Sequence, residues 1–334
     1  MVIRTESRPL ARVPGISGHK PSDTRHGAMT LVRFLCLALL CVRTGGVVAE
    51  LSQQSFDYDG ETRGYQLFVP PAYDGSNGLP LLLVLHGRGG TGERMRQLTG
   101  FDLRAAEHHF FVVYPDSPQR YWNYLHSVPG APEGADDIAF LQRLIDEIGS
   151  NYSVDRQRLY VAGISNGGLM AQRLVCEQNS EFAAFASVAA TGYGAMPATC
   201  RARGPVDALY LHGTHDSLVP WQGRRVVGPD GESQRVTMSI TDSMKFWSDL
   251  NRCDPQVEVR DLPRSGRSPK TRVRVYASKS CADGAQVKLY GILGGGHNKP
   301  GADALIPPKI AGAINFDVHA SDAIWSFFDR SQPR

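Results

Sequence analysis

The stretch VAGISNGGLM, Val161–Met170, decides how the rest of the chain is read. An apolar segment, RLYVAG, stops at Gly163, and a helical pattern, GGLMAQRLVCE, begins at Gly167. Between them stands Ser165, giving the pattern G-x-S-x-G. A chain that reverses sharply from strand to helix needs neighbours without side chains, and the reversal lifts the serine above a sheet. The helix that follows would point its positive dipole end at negative charge developing there. A serine in a loop is more commonly a turn residue or a helix cap, so the surrounding sequence has to separate these roles.

Working outward, apolar strands and amphipathic helices alternate. TRGYQLFVP reads as a half-exposed strand, while PLLLVLHG and FFVVYP are continuous apolar runs expected of strands buried on both faces. Asp137 is placed to cap DIAFLQRLIDEIG, whose Ile138, Leu141, Leu144, Ile145 and Ile148 recur at helical spacing, and Gly149 to stop it. FASVAA, DALYLHG and AQVKLYGI follow as strands, with TDSMKFWSDL a helix before the last and SDAIWSFFDR a closing helix. This order predicts an α/β fold with a mostly parallel sheet and helices on both faces. Sites in such sheets lie beyond the carboxyl ends of the strands, which singles out the polar residues there.

A serine hydroxyl needs a base. His297 lies in GILGGGHNKPG, a glycine-rich loop just past a strand near the end of the chain. His86 and His212 each end an LHG strand, where a histidine more often braces loops than moves protons. Asp216 ends LYLHGTHD, beyond a buried strand, and would hold the tautomer of the base. Asp242 is the rival acid, but it opens a predicted helix and is more simply a cap or first-turn acid. The order Ser165, Asp216, His297 is that of α/β-hydrolases. For an oxyanion, the backbone N–H of Asn166 and that of Arg88, in the loop LHGRGG, are the candidate donors.

Lys and Arg total 36 against 33 Asp and Glu, for a net charge of +3. Residues 1–49 hold seven of those bases and two of the acids, so the remainder has 29 bases and 31 acids and no stripe that would suit nucleic acid. FLCLALLCV, Phe34–Val42, preceded by Arg33 and followed by VVA at Val47–Ala49, reads as a secretory signal peptide, too short to span a bilayer. The expected organisation is a possible upstream extension at 1–28, a leader at 29–49 and one catalytic domain at 50–334. Export to the medium or periplasm leaves Cys176, Cys200, Cys253 and Cys281, an even set in an oxidising compartment. Three pairings are possible; pairing nearest neighbours would close two modest loops. No CxxC or HxxxH spacing suggests a metal, and no cofactor is expected.

VLHGRGG, DDIAFLQRLID, VDRQRLYVAGISNGGLMAQRLVCE, LHGTHDSLVPWQG, GGGH and DAIWSFF follow one another in an order that resembles the polyhydroxybutyrate depolymerase-like esterases, a family that includes feruloyl and acetylxylan esterases. The resemblance runs roughly from Tyr65 to Phe328. It implies an α/β-hydrolase fold and a secreted serine esterase, with Ser165 as nucleophile, Asp216 as acid and His297 as base. It also favours the nearest-neighbour disulfides. The sequence departs from the family where GGGH-T-W-P-G becomes GGGHNKPG, so Asn298 and Lys299 replace an aromatic wall beside the base. Arg88 stands where a small residue or cysteine is expected. Trp221, in VPWQG, and Trp122 are candidates to touch substrate.

The expected partner is a small ester, or an ester-bearing polysaccharide or oligomer, acted on by a monomer without nucleic acid or membrane. Secreted depolymerases that attack granules commonly append a linker and a binding domain. This chain stops at Arg334, so a soluble ester is expected over insoluble polyester. PRSGRSPKTR, Pro263–Arg272, reads as a basic solvated loop. The alternatives are a serine peptidase of the same fold, which would usually carry a lid or propeller domain, and a non-catalytic binding module.

Overall fold

The computed structural model describes residues 49–331, apart from residues 72, 127, 129–132, 178–179, 228–230, 232 and 304–305. The expected extension, Cys36, Cys41 and all but the last residue of the expected leader lie outside the described residues. The strands are β1 (Glu50–Tyr58), β2 (Glu61–Val69), β3 (Leu79–Leu85), β4 (Phe111–Pro115), β5 (Val154–Ile164), β6 (Phe182–Val188), β7 (Asp207–Gly213), β8 (Arg224–Val227), β9 (Ser233–Thr237), β10 (Asp254–Asp261), β11 (Arg272–Lys279) and β12 (Val287–Leu293). The helices are α1 (Gly92–Thr99), α2 (Phe101–His108), α3 (Asp137–Asn151), α4 (Asn166–Val175), α5 (Met196–Thr199), α6 (Ile240–Leu250), α7 (Pro308–Ala311) and α8 (Ala320–Phe328).

Ten strands form one sheet in the order β1-β2-β4-β3-β5-β6-β7-β12-β11-β10. The strands from β4 to β12 in that order run parallel to one another, and antiparallel pairs close both edges. β3 and β4 are apolar throughout because each face of the sheet carries a helical layer. Leu81, Leu83 and Leu85 of β3 join the core shared with α3, α4 and α6. Leu82 and Val84, pointing the other way, join Phe101 of α2 and Ile324, Trp325 and Phe328 of α8. Each such leucine, wholly buried, contributes about 1.5–3 kcal/mol. The architecture is an α/β-hydrolase fold.

Two local expectations are corrected. The α3 cap is Asp136, whose carboxylate accepts the Ala139 N–H at 2.9 Å. Asp137 instead forms a buried ion pair with Arg63 at 2.7 Å and accepts the Asn123 N–H at 2.8 Å. Gly149 does not stop α3, which runs on to Asn151. The helix over Asp242 starts as expected, with Ser239 capping the Asp242 N–H at 3.0 Å, so Asp242 is a first-turn acid.

Disulfides join Cys176 to Cys200 and Cys253 to Cys281, the nearest-neighbour pairing. Among the described residues no helix is long and apolar enough to cross a membrane, and no cluster of His, Cys, Asp and Glu is arranged to hold a metal ion.

Candidate active site

Ser165 follows β5 at φ 55° and ψ −120°, a backbone region that costs a residue with a side chain about 1–3 kcal/mol. Its surroundings enforce the turn. The Ser165 N–H donates to the Val188 carbonyl at 2.8 Å, and its own carbonyl accepts from Gly168 and Leu169. A Cβ at Gly163 would lie 2.1 Å from the Gly167 carbonyl oxygen, and one at Gly167 would lie 2.4 Å from that of Leu85. Both positions therefore require glycine. Although Ser165 sits at the N-cap of α4, its side chain makes no capping bond. The bland role of a helix-cap serine is thus not the one it plays. Its hydroxyl has no hydrogen-bond partner among the described residues.

Asp216 lies three residues beyond β7 and is 4% exposed. One carboxylate oxygen, Oδ1, accepts the N–H groups of Leu218 and Val219 at 2.9 and 2.8 Å. The other, Oδ2, accepts His297 Nδ1–H at 2.8 Å. This fixes the imidazole with Nδ1 protonated and Nε2 carrying the lone pair. The His297 loop, past β12, owes its path to Gly296, where a Cβ would meet the Ala311 carbonyl oxygen at 1.8 Å. Asn298 clamps the same loop, its Nδ2 donating to the carbonyls of Ala311 and Gly312 at 3.2 Å. The structure therefore joins Asp216 to His297. It makes no hydrogen bond between His297 and Ser165; in unliganded sites such bonds are often long.

The loop after β3 runs beside the serine: a Cβ on Gly87 would be 3.5 Å from Ser165 Cβ. Gly89 and Gly90 spend their N–H groups on the carbonyls of Arg120 and Gly87. The N–H groups of Arg88 and Asn166 find no acceptor among the described residues, which leaves them free for an oxyanion. The Arg88 side chain turns outward, its guanidinium 4.6 Å from the centre of the Tyr121 ring.

Trp122 corrects an expectation. At 1% exposure it cannot form a wall against substrate. Its Nε1–H donates to the His86 carbonyl at 3.0 Å, and its backbone is gripped by the Asn166 side chain. It braces the loop after β3 against the serine turn. Trp221 is half-buried, its ring centre 5.9 Å from that of His212. His212 lies beneath Asp216: its Nε2–H donates to the Val219 carbonyl at 3.0 Å and is 4.0 Å from Asp216 Oδ2. Burial pulls its pKa down to about 4, so it stays neutral and does not compete for the carboxylate. His86 is also a brace, its Nε2 accepting the Ser117 N–H at 3.2 Å, and burial lowers its pKa. His215 is exposed. Lys299 is buried, with no partner for its Nζ among the described residues, and desolvation lowers its pKa to about 8. A cavity of about 660 Å³, lined by Arg156, Phe182 and Val206, lies at the amino ends of β5, β6 and β7, away from these residues.

A nucleophile-like turn, a carboxylate–imidazole pair and free N–H donors thus share one end of the sheet. Residues 63–215 match the family described as Esterase PHB depolymerase. Together with the relatives that follow, this match makes the chain a carboxylic ester hydrolase. It is 29% identical over 286 residues to the NocK protein of Nocardia uniformis subsp. tsuyamanensis, covering 80% of this chain and 79% of that one. It is 28% identical over 272 residues to feruloyl esterase C of Emericella nidulans, covering 80% and 83%. Among solved structures, an acetyl xylan esterase from Aspergillus awamori superposes with a TM-score of 0.56 at 15% identity, covering 84% of this chain and 99% of that one, a likeness of fold.

Proposed function

We propose that this esterase cleaves its substrate through an acyl-enzyme on Ser165, with His297 as base and Asp216 as its orienting acid. The observation that carries the reading is the 2.8 Å bond from His297 Nδ1 to Asp216, made at the same end of the sheet as the strained, uncapped Ser165. In the cycle, His297 Nε2 takes the Ser165 proton as Oγ attacks the ester carbonyl. The Arg88 and Asn166 N–H groups receive the oxyanion. The proton on Nε2 passes to the departing alcohol, and water, deprotonated by the same nitrogen, then cleaves the acyl-enzyme. No step calls for a metal or organic cofactor.

The substrate class we infer is a soluble ester: a feruloyl or acetyl ester of plant polysaccharide, or a hydroxyalkanoate oligomer. The names of the relatives support it, as does the run of motifs from VLHGRGG to DAIWSFF. We assign residues 29–49 as a leader and 50–334 as one catalytic domain, which makes the enzyme secreted or periplasmic; two disulfides support that compartment.

A panel of feruloyl, acetyl and 3-hydroxybutyryl esters, each with its matched amide, tests the reading in wild type and Ser165→Ala. Esters should turn over and amides should not, and the variant should lose ~10⁶ in kcat. An undiminished variant would remove Ser165 from the chemistry, and preference for the amide would make the protein a peptidase.

A further inference from the structure

The last strand of the sheet, β10, is exposed at every residue, and Val257 and Val259 are 48% and 52% exposed. The opposite edge strand differs: Phe56 and Tyr58 of β1 pack on Phe140. An open strand with exposed valines is a template for another strand unless its charges forbid it. The backbone geometry shows which groups it offers. Leu262 N–H donates to the Val273 carbonyl at 2.9 Å, in the register that also pairs Arg260 with Val275 and Glu258 with Ala277. Hydrogen-bonded pairs alternate along an antiparallel ladder. Glu258, Arg260 and Leu262 therefore spend their backbone groups on β11, and Val257, Val259 and Asp261 turn theirs outward. Among the described residues nothing meets them. Pro255 and Pro263, which have no N–H, bound this window.

We infer that β10 pairs with β10 of a second copy of this chain, antiparallel about a two-fold axis at Val259. In that register Val259 faces Val259 as a hydrogen-bonded pair, and Val257 faces Asp261, so the outward N–H and C=O groups satisfy one another. Glu258 of each copy then stands opposite Arg260 of the other, on one face, at the close spacing of a non-hydrogen-bonded pair. The charges that would blunt an edge if they were alike are self-complementary about Val259. Shifting the register by two residues in either direction destroys both ion pairs, so sequence and geometry select the same alignment. The two-fold is perpendicular to the sheet, so the parallel strands of the two copies run in opposite directions. The Ser165 ends then open on opposite sides of one continuous sheet, and neither is covered. The pairing replaces the monomer expected from sequence and is independent of the catalytic assignments.

Sedimentation velocity over a concentration series, with esterase assays to confirm folding, tests the inference. Wild type should sediment as a dimer at high concentration. Val259→Pro removes an outward donor without touching the β10–β11 ladder, and should sediment as a monomer with full activity. Glu258→Arg and Arg260→Glu should each weaken the dimer at least about tenfold by setting like charges opposite. The double exchange, Glu258→Arg with Arg260→Glu, should restore it. A wild type that stays monomeric at every concentration, a dimer indifferent to Val259→Pro, or failure of the double exchange to recover what the single changes lose would overturn it.

Discussion

Asn166 grips Trp122 through both ends of its side-chain amide: Oδ1 accepts the Trp122 N–H at 2.6 Å, and Nδ2 donates to the Trp122 carbonyl at 3.0 Å. The indole N–H then holds the His86 carbonyl at 3.0 Å. One buried tryptophan thus ties the turn bearing Ser165 to the loop bearing the Arg88 N–H. Through Asn123 and Asp137 the same segment reaches the buried Arg63. The segments that carry the two candidate oxyanion donors are thereby tied together through buried side chains.

Trp122→Phe keeps one aromatic ring but deletes the five-membered ring that carries the N–H. The His86 carbonyl loses its partner, and stability should fall by about 1–3 kcal/mol. If the brace aligns the oxyanion donors, kcat should drop roughly tenfold while KM changes little, because the donors act mainly in the transition state. Steady-state kinetics on a p-nitrophenyl ester distinguish this from simple destabilisation, which would leave kcat of the folded fraction intact.

His212 makes stability depend on acid. Burial, the largest cause, sets its folded pKa at about 4, below the unfolded value of 6.5. The unfolded chain therefore binds more protons between these values, and stability present above pH 6.5 is lost as pH falls towards 4. The difference is worth roughly 3 kcal/mol. In His212→Gln, the loss measured by denaturant titration between pH 7 and pH 4 should shrink by about that amount; an identical loss in variant and wild type would contradict it.

Lys299 carries the opposite liability. Desolvation lowers its pKa from 10.5 to about 8, only partly offset by Asp322. The charged form is disfavoured in the fold, so the penalty is full below pH 8 and fades as pH rises to 10.5. Lys299→Met should stabilise the protein at pH 7 by roughly 2–3 kcal/mol and much less at pH 10. Thermal or denaturant unfolding at the two pH values measures this. Equal gains at both would mean that the charge is not the source.

The Cys176–Cys200 bridge closes a 24-residue separation between the end of α4 and the segment after α5. Replacing both cysteines by serine should cost about 2–4 kcal/mol of stability. Because the bridge lies away from the Ser165 turn, ester turnover at low temperature should be preserved. Peptide mapping without reduction gives the pairing, and a Cys176–Cys253 peptide would contradict it.

The fold was legible where burial is two-sided. β3, β4, β6 and β7 read as apolar runs, and the polar residues just past β5, β7 and β12 include Ser165, Asp216 and His297. The order of these residues along the chain, together with one sheet, was enough to bring Asp216 to His297. Other features depend on contacts distant in sequence. Asp136 and Asp137 are adjacent acids, and only Arg63, 74 residues before Asp137, decides which one is free to cap α3. Trp122 looks like a surface aromatic in a polar loop until Asn166 and His86 enclose it. β10 has no buried face, so no alternation of burial marks it, and the basic stretch Pro263–Arg272 reads as a loop without revealing the strands it joins. Lys299 follows a glycine-rich loop, and nothing local indicates that its ammonium is buried.

In the proposed cycle, Ser165 is made reactive by His297. Labelling with a fluorophosphonate, followed by intact-mass and peptide analysis of wild type and His297→Ala, tests it most directly. We predict one adduct per chain, on Ser165, forming at least ~10³ times more slowly without the imidazole. An unlabelled Ser165 in a preparation that hydrolyses esters, or equal labelling rates in the two proteins, would contradict the account.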